Sequence, residues 1–321
     1  MAQALEINNL PTPQEESWKY TNLPRAIPAN LNTADENHDI EITVGKGEIV
    51  SAAREIIFTG EDGQHHKPRL NITVEQGGEL TLIETHDGDG AYWKNMVTTI
   101  TLGDNAKLNH YRLQGDALEA VQTNMVHITM GRDANYDSFT LNMGGKLSRH
   151  EMHAEIQGEN STCTFNGINL LGADQHGDTT ILIEHQAPHC ASNQLYRTVL
   201  DDNARGVFQG KVHVHQIAQK TDGYQLSNAL LLSDKAEMDT KPELEIYADD
   251  VLCSHGATTG QLDEKPLFYL RNRGLTEAEA RMLLIQAFVG EVVDKINDEG
   301  FKTIIEEKTS AWLQTALSPK A

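Results

Sequence analysis

The sequence predicts a mostly β protein, built as a β-solenoid and followed by a small C-terminal helical domain. Three observations carry this. From Glu41 to Ala248 one strand-like alternation follows another, with almost no helical periodicity. Apolar strand ends give way to short polar turns that begin about 28 residues apart, at Gly103, Gly131 and Gly158. After Gly260 the pattern turns helical.

Residues 1–40 are rich in Pro and Asn and read as a short irregular segment. Residues 41–262 form the predicted β body. Alternation is clearest in Leu80–Ile83, Val97–Leu102 and Lys211–Ile217. The turns read Leu102-Gly103-Asp104-Asn105-Ala106, Met130-Gly131-Arg132-Asp133-Ala134 and Gln157-Gly158-Glu159-Asn160-Ser161. Leu200–Ala204 and Leu232–Ala236 are expected to continue the series at wider spacing. The absence of crossover helices excludes a Rossmann-type sheet. A β-sandwich remains the rival, but strands that run on without a domain break favour a solenoid, whose coils bury their inward side chains against one another.

Residues 263–321 form the predicted helical domain. Pro266–Arg273 reads as a short helix closed by Gly274. Thr276-Glu277-Ala278-Glu279 is a capping box. It opens a helix with Met282, Ile285, Val289, Val292 or Val293, and Ile296 on one stripe, ended by Asp298-Glu299-Gly300. Phe301–Leu317 reads as another amphipathic helix. So small a helical core is expected to pack on the end of the β body or on a partner.

Composition excludes several functions. The chain of 321 residues carries 47 acidic and 26 basic side chains, a formal charge of −21. That opposes binding to nucleic acid or to an anionic membrane. No stretch approaches the roughly 20 apolar residues of a membrane helix, and the start, Met1-Ala2-Gln3-Ala4-Leu5-Glu6, lacks the pattern of a secretory signal. Three widely spaced cysteines, Cys163, Cys190 and Cys253, form no CxxC pair. Reduced thiols and a cytoplasmic location are expected. There is no GxxxxGK[ST], GxGxxG or GxSxG motif, so neither a nucleotide cradle nor a hydrolytic elbow is recognisable.

Two constellations could hold a metal. His213-x-His215 places two imidazoles on one strand face, but no third ligand lies nearby in sequence, and a surface pair is the plainer reading. Asp201-Asp202 and Asp249-Asp250 suit turns. Asp249-Asp250-Val251-Leu252-Cys253-Ser254-His255-Gly256 puts a thiol and an imidazole two residues apart, just before the helical region. On an extended strand Cys253 and His255 project together and Ser254 points away. They suit a soft metal or an iron–sulfur cluster, yet two ligands leave such a site incomplete. A buried cysteine beside a structural histidine is the alternative.

The segment Lys241-Pro242-Glu243-Leu244-Glu245-Ile246-Tyr247-Ala248, continuing through Asp249 to Thr258, resembles the SufB/SufD family and, within it, the SufD type. Leu267–Leu275, Gln286-Ala287-Phe288 and Glu15–Thr21 extend the match. The resemblance implies a right-handed parallel β-helix and a non-catalytic scaffold role in iron–sulfur cluster assembly. It implies pairing with SufB through the last coils and binding of the ATPase SufC by the C-terminal helices, around Leu275, Glu277, Met282, Gln286, Phe288 and Val289. SufB-type members carry a cysteine where this chain has Ser227 and a glutamate where it has Gly256. The resemblance therefore assigns this chain the histidine of a shared interface, His255, with Cys253 beside it. No stably bound cofactor is implied, only iron or a transient cluster at that interface. Many members carry a longer helical N-terminal region, where about 40 residues precede the β-helix in this sequence. A groove-active β-helix enzyme acting on carbohydrate and a homodimeric structural β-helix are the alternatives.

Overall fold

A computed structural model describes residues 4–33 and 39–318. Met1 to Gln3, part of the start read above for a signal, lie outside the described residues. The N-terminal segment holds a 3-10 turn at Glu16–Trp18, helix α1 (Leu23–Ala26) and strand β1 (Asn32–Thr33). Strands β2 (Asp39–Val44), β3 (Arg54–Gly60), β4 (Gln64–His66), β5 (Arg69–Val74) and β6 (Glu79–Gly88) follow. Next come β7 (Trp93–Leu102), β8 (Lys107–Gln114), β9 (Val121–Met130), β10 (Asn135–Asn142), β11 (Leu147–Ile156) and β12 (Thr162–Leu171). The body ends with β13 (His176–His185), β14 (Ala191–Leu200), β15 (Arg205–Val214), β16 (Asp222–Leu231), β17 (Glu237–Ile246) and β18 (Leu252–Gly260). Helices α2 (Glu264–Asn272), α3 (Glu277–Val293) and α4 (Glu299–Ala316) close the chain.

All named strand pairs are parallel, and from β5 onward successive strands alternate between two sheets. Even-numbered strands from β6 onward join β3 in an eight-stranded sheet that ends on β18; odd-numbered strands from β7 onward run through the other sheet, which ends on β17. This is the β-solenoid expected from the alternation and recurring turns, and the sandwich rival is discarded. Each inward row becomes a column through the body. One column reads Ile100, Ile128, Ala154, Ile183, Val212 and Leu244 on successive coils. All but Leu244, on the terminal strand, are at most 1% exposed, and burial of such a side chain stabilises by roughly 1.5–3 kcal/mol.

The turns stack as the strands do. Asn105, Asp133, Asn160, His189 and Lys220 all have positive φ, and all lie where the chain passes from the odd-numbered strands to the even-numbered ones. Asn and Asp tolerate this conformation best, so the Gly-Asp-Asn type of turn is favoured. At Gly158 a Cβ would stand 2.0 Å from the backbone nitrogen of Arg132, so glycine is what lets that turn sit on the one below. Leu200–Ala204 and Leu232–Ala236 do not continue this series. They lie at the opposite corner, between β14 and β15 and between β16 and β17. The expected series joined two corners because both use the same turn chemistry.

Both outer faces are partly covered. Trp18 and Leu23 of the N-terminal segment pack on Trp93, Val121 and Leu147. Arg149 stacks on Trp18, 4.0 Å from its ring, and binds Asp178. The C-terminal helices cover the flank of the eight-stranded sheet rather than its end. Ile285, Val289, Val292, Phe301, Ile305 and Leu313 meet Tyr111, Phe139, Ile168 and Val199 there. The Phe301 ring stacks 4.6 Å from that of Tyr111. The flank wins because the outward positions of β8 to β14 are apolar and would otherwise face water. The capping box forms as read, with Glu279 N donating to Thr276 Oγ1 at 3.3 Å and Thr276 N to the Glu279 carboxylate at 2.8 Å. Asp298 opens α4 instead of ending α3, since its carboxylate accepts from Phe301 N at 2.8 Å.

Not all of the interior is apolar. Glu84 lies between His86 and His110, at 3.1 and 2.7 Å, and Lys94 binds Asp116 at 2.8 Å. Burial holds His65, His86 and His185 down at about 4, where the free imidazole titrates near 6.5. They stay neutral in the folded chain, while the unfolded chain takes up protons below pH 6.5. Stability is therefore complete above that value and falls as pH drops from about 6.5 to about 4. Thermal midpoints measured across pH 4–8 should be flat above 6.5 and decline below it. His185→Gln should flatten the decline by roughly one proton's share.

Candidate functional site

The two sheets end on an open coil. Among the described residues β18 pairs only with β16, and β17 only with β15. The register shows where Cys253 and His255 stand. Leu108, Tyr136, Cys163, Ser192, Gly223 and Cys253 form one inward column; His110, Ser138, Phe165, Gln194, Gln225 and His255 form the next. The pair therefore projects toward the axis of the solenoid from its terminal coil, and no later coil covers it. Ser254 and Gly256 point outward, as the alternation requires.

Cys253 is half-buried and packs with Leu244, Val251 and the buried Val212, Val214 and Ala248. Burial raises its thiol above the usual range, opposed by a hydrogen bond from the Gly223 backbone. A metal bound there must displace the thiol proton. His255 is exposed. Beneath it the Gln225 side chain is fully buried and donates to Gln194 Oε1 at 2.8 Å, while its own Oε1 has no partner. A buried acceptor without a donor at the foot of an open column is a place for a ligand proton or a water. Ser227, inward on the coil before, is likewise buried with an unpartnered hydroxyl. Gly256 faces away from it, with Leu226 3.0 Å from where its Cβ would be.

The helical residues singled out in the sequence separate. Leu275 and Glu277 lie at the start of α3, and Glu277 is exposed. Val289 is 2% exposed and holds α3 to the sheet, so it offers nothing to a partner. Gln286 donates to Ser310 Oγ at 3.3 Å. Met282 and Phe288 are partly buried on the same core, and Arg197 lies over the Phe288 ring. The exposed large apolar side chains of the helices, among the described residues, are Phe268 and Tyr269 on α2, Leu283 on α3 and, at the margin, Ile304 on α4. Sequence reasoning missed them as surface. The signal was available for α2, because Leu267-Phe268-Tyr269-Leu270 is a run of four apolar residues, wider than the one face a short helix can bury.

His213 and His215 are together on the outward face, their rings stacked at 4.4 Å. The expected lack of a third ligand does not hold. Glu184, from the neighbouring strand, comes within 3.8 Å of His213.

The model of the SufBD core domain, described as SUF system FeS cluster assembly, matches residues 56–288. An iron–sulfur cluster assembly SufBD family protein of Synechocystis is 40% identical over 281 residues, which are 84% of this chain and 62% of the relative. The iron–sulfur cluster assembly protein SufD of Escherichia coli is 37% identical over 247 residues, 76% of this chain and 58% of that protein. The chloroplastic protein ABCI7 of Arabidopsis thaliana is 34% identical over 251 residues, with shares of 74% and 52%. The chain thus spans 52–62% of the length of these relatives.

Cys163 and Cys190 are at most 1% exposed, whereas Cys253 is within reach of solvent. Iodoacetamide should label Cys253 in the native protein roughly tenfold or more faster than the other two, and slowly at neutral pH because its thiol is held protonated. Mass spectrometry of the timed reaction checks this. Equal labelling of all three would place Cys253 in a closed core.

Proposed function

Because the chain belongs to the SufBD family of the SUF iron–sulfur cluster assembly system, we propose that it is a non-catalytic scaffold subunit of that machinery. The observation that carries this reading is the open terminal coil, with Cys253 and His255 at the ends of two inward columns. The free edges of β17 and β18 would pair with the last coils of a SufB subunit. His255 would then supply one ligand for iron or a nascent cluster, and Cys253 a second once its proton is displaced. The remaining ligands would come from the partner. An incomplete ligand set on an unpaired edge is what a shared site requires.

The C-terminal helices would bind the ATPase SufC. Phe268, Tyr269 and Leu283 supply the exposed apolar surface, with Leu275 and Glu277 beside it. Helix α2 begins four residues after β18 ends, and α3 and α4 lie on the flank of the sheet that β18 terminates. A displacement of the helices by SufC would therefore reach the edge strand directly. Switching would consist of opening an interface, with no chemistry within this chain. No helix among the described residues is long and apolar enough to cross a membrane.

Two experiments test this reading. His255→Ala should leave the complex with SufB and SufC intact. It should lower cluster formation in anaerobic reconstitution with iron and sulfide by at least about tenfold, since even an outer-shell partner is worth about 10- to 100-fold. Undiminished cluster formation would remove His255 from the site. Phe268→Asp with Leu283→Asp should weaken SufC binding roughly thirtyfold or more while sparing SufB binding, as loss of apolar anchors does. Titration with labelled SufC measures it, and unchanged affinity would put the docking surface elsewhere.

A further inference from the structure

The outward face of the odd-numbered strands has two halves. The N-terminal segment covers the half where the strands begin, over Trp93, Val121 and Leu147. Toward the strand ends, where Glu155, Glu184 and His213 lie side by side on β11, β13 and β15, the face is left open. His127 and His153 form the adjacent row on β9 and β11. Register therefore gathers four histidines and two glutamates from four different coils onto one strip.

The strip divides into two groups of the same composition. His127, His153 and Glu155 offer ligand atoms that all lie within 4.8 Å of one another, and so do Glu184, His213 and His215. Each group has two imidazoles and one carboxylate. Nε2 of His153 and Nε2 of His215 are out of reach of solvent and have no hydrogen-bond partner. A ring nitrogen in that state costs stability unless something binds it.

Both glutamates are held in the same way. Gln157 donates to Glu155 Oε2 at 2.8 Å, and Gln186 donates to Glu184 Oε2 at 2.9 Å. In each case the second oxygen faces imidazoles: Glu155 Oε1 lies 3.4 Å from His127 Nε2, and Glu184 Oε1 lies 3.8 Å from His213 Nδ1 and 3.9 Å from His153 Nε2. The last two separations are too long for hydrogen bonds. Within each group the carboxylate–imidazole separation, 3.4 Å for Glu155–His127 and 3.8 Å for Glu184–His213, is near the roughly 3.3 Å between two ligands of a tetrahedral ion bound at about 2.0–2.1 Å. A carboxylate oriented by an outer amide is the usual support of such a ligand. All six side chains are half-buried, so closing on an ion requires only small side-chain rotations.

We propose that this strip binds divalent first-row metal ions at two neighbouring sites, one of His127, His153 and Glu155 and the other of Glu184, His213 and His215. Imidazole with carboxylate selects Zn2+, Fe2+, Co2+ or Ni2+ over Mg2+ or Ca2+. Three protein ligands leave a position open at each ion for water or for a group from a partner. The strip uses neither Cys253 nor His255 and is independent of the function proposed above.

The test uses the full chain stripped with EDTA, dialysed against buffered micromolar free Zn2+ and assayed by elemental analysis. About two equivalents should remain bound. His213→Ala with His215→Ala should remove one, His127→Ala with His153→Ala the other, and the fourfold variant both. Glu155→Gln with Glu184→Gln, which keeps shape and volume, should weaken both sites at least about tenfold. Near-ultraviolet circular dichroism reports whether each variant keeps its fold. Cys253→Ser with His255→Ala should retain both ions, and the Co2+ form of the wild type should lack the thiolate charge-transfer band that binding at Cys253 would give. Uptake of less than one equivalent by the wild type, or a folded fourfold variant that keeps its metal, overturns the proposal.

Discussion

Every coil in this protein must present its inward side chains to the same row of the next coil. That in-register stacking is the constraint on which the rest of the structure depends. Strands in a parallel ladder are about 4.8 Å apart, so a row is a column of touching side chains and one misplaced residue disturbs two neighbours. The constraint explains the long apolar column from Ile100 to Leu244. It explains the stacked turns, in which Gly158 has no room for a Cβ. It also explains why polar groups inside, such as Glu84 with His86 and His110, occur as linked sets on neighbouring strands.

The same rule makes the end of the solenoid chemically different from its middle. A column has to stop somewhere, and here two of them stop on Cys253 and His255 with an open face beyond. In the middle of the body these positions are filled by Tyr136 and Cys163, or by Ser138 and Phe165, each covered on both sides. At the end, a thiol and an imidazole meet whatever completes the coil. The chain needs no separate pocket for this.

Much of the fold was legible in the sequence, because a solenoid repeats and repeated alternation is a strong signal. The capping box at Thr276 and the terminating Gly274 were legible for a different reason: both are local, fixed within four residues. What escaped was whatever depends on which coil lies beside which. Glu184 is 29 residues from His213 in the chain but its direct ladder partner in space. No reading of His213-x-His215 by itself could supply that third group. The corners of the body were confused for the same reason, since Gly103 and Asp201 begin turns of similar composition on opposite sides. For Cys253 and His255, spacing gave the shared face, whereas the openness of the coil came only from the structure. The resemblance assigns Val289 to docking, but a family likeness places a residue on a helix without saying which way it faces, and here it faces the sheet.

The position of the helices has one further consequence. Their apolar face rests on side chains from Tyr111 on β8 to Val199 on β14, four successive strands of one sheet, with Leu230 of β16 at its margin. Solenoids can lengthen or shorten by whole coils during evolution, because each coil touches only its neighbours. Here the helices act as a gauge. A coil inserted or lost beneath them would shift the patch by one strand spacing against α3 and α4, while α2 stays tethered to β18 by three residues. The distance between the helical surface and the open coil is thereby fixed, and coil number can vary freely only at the far end of the body.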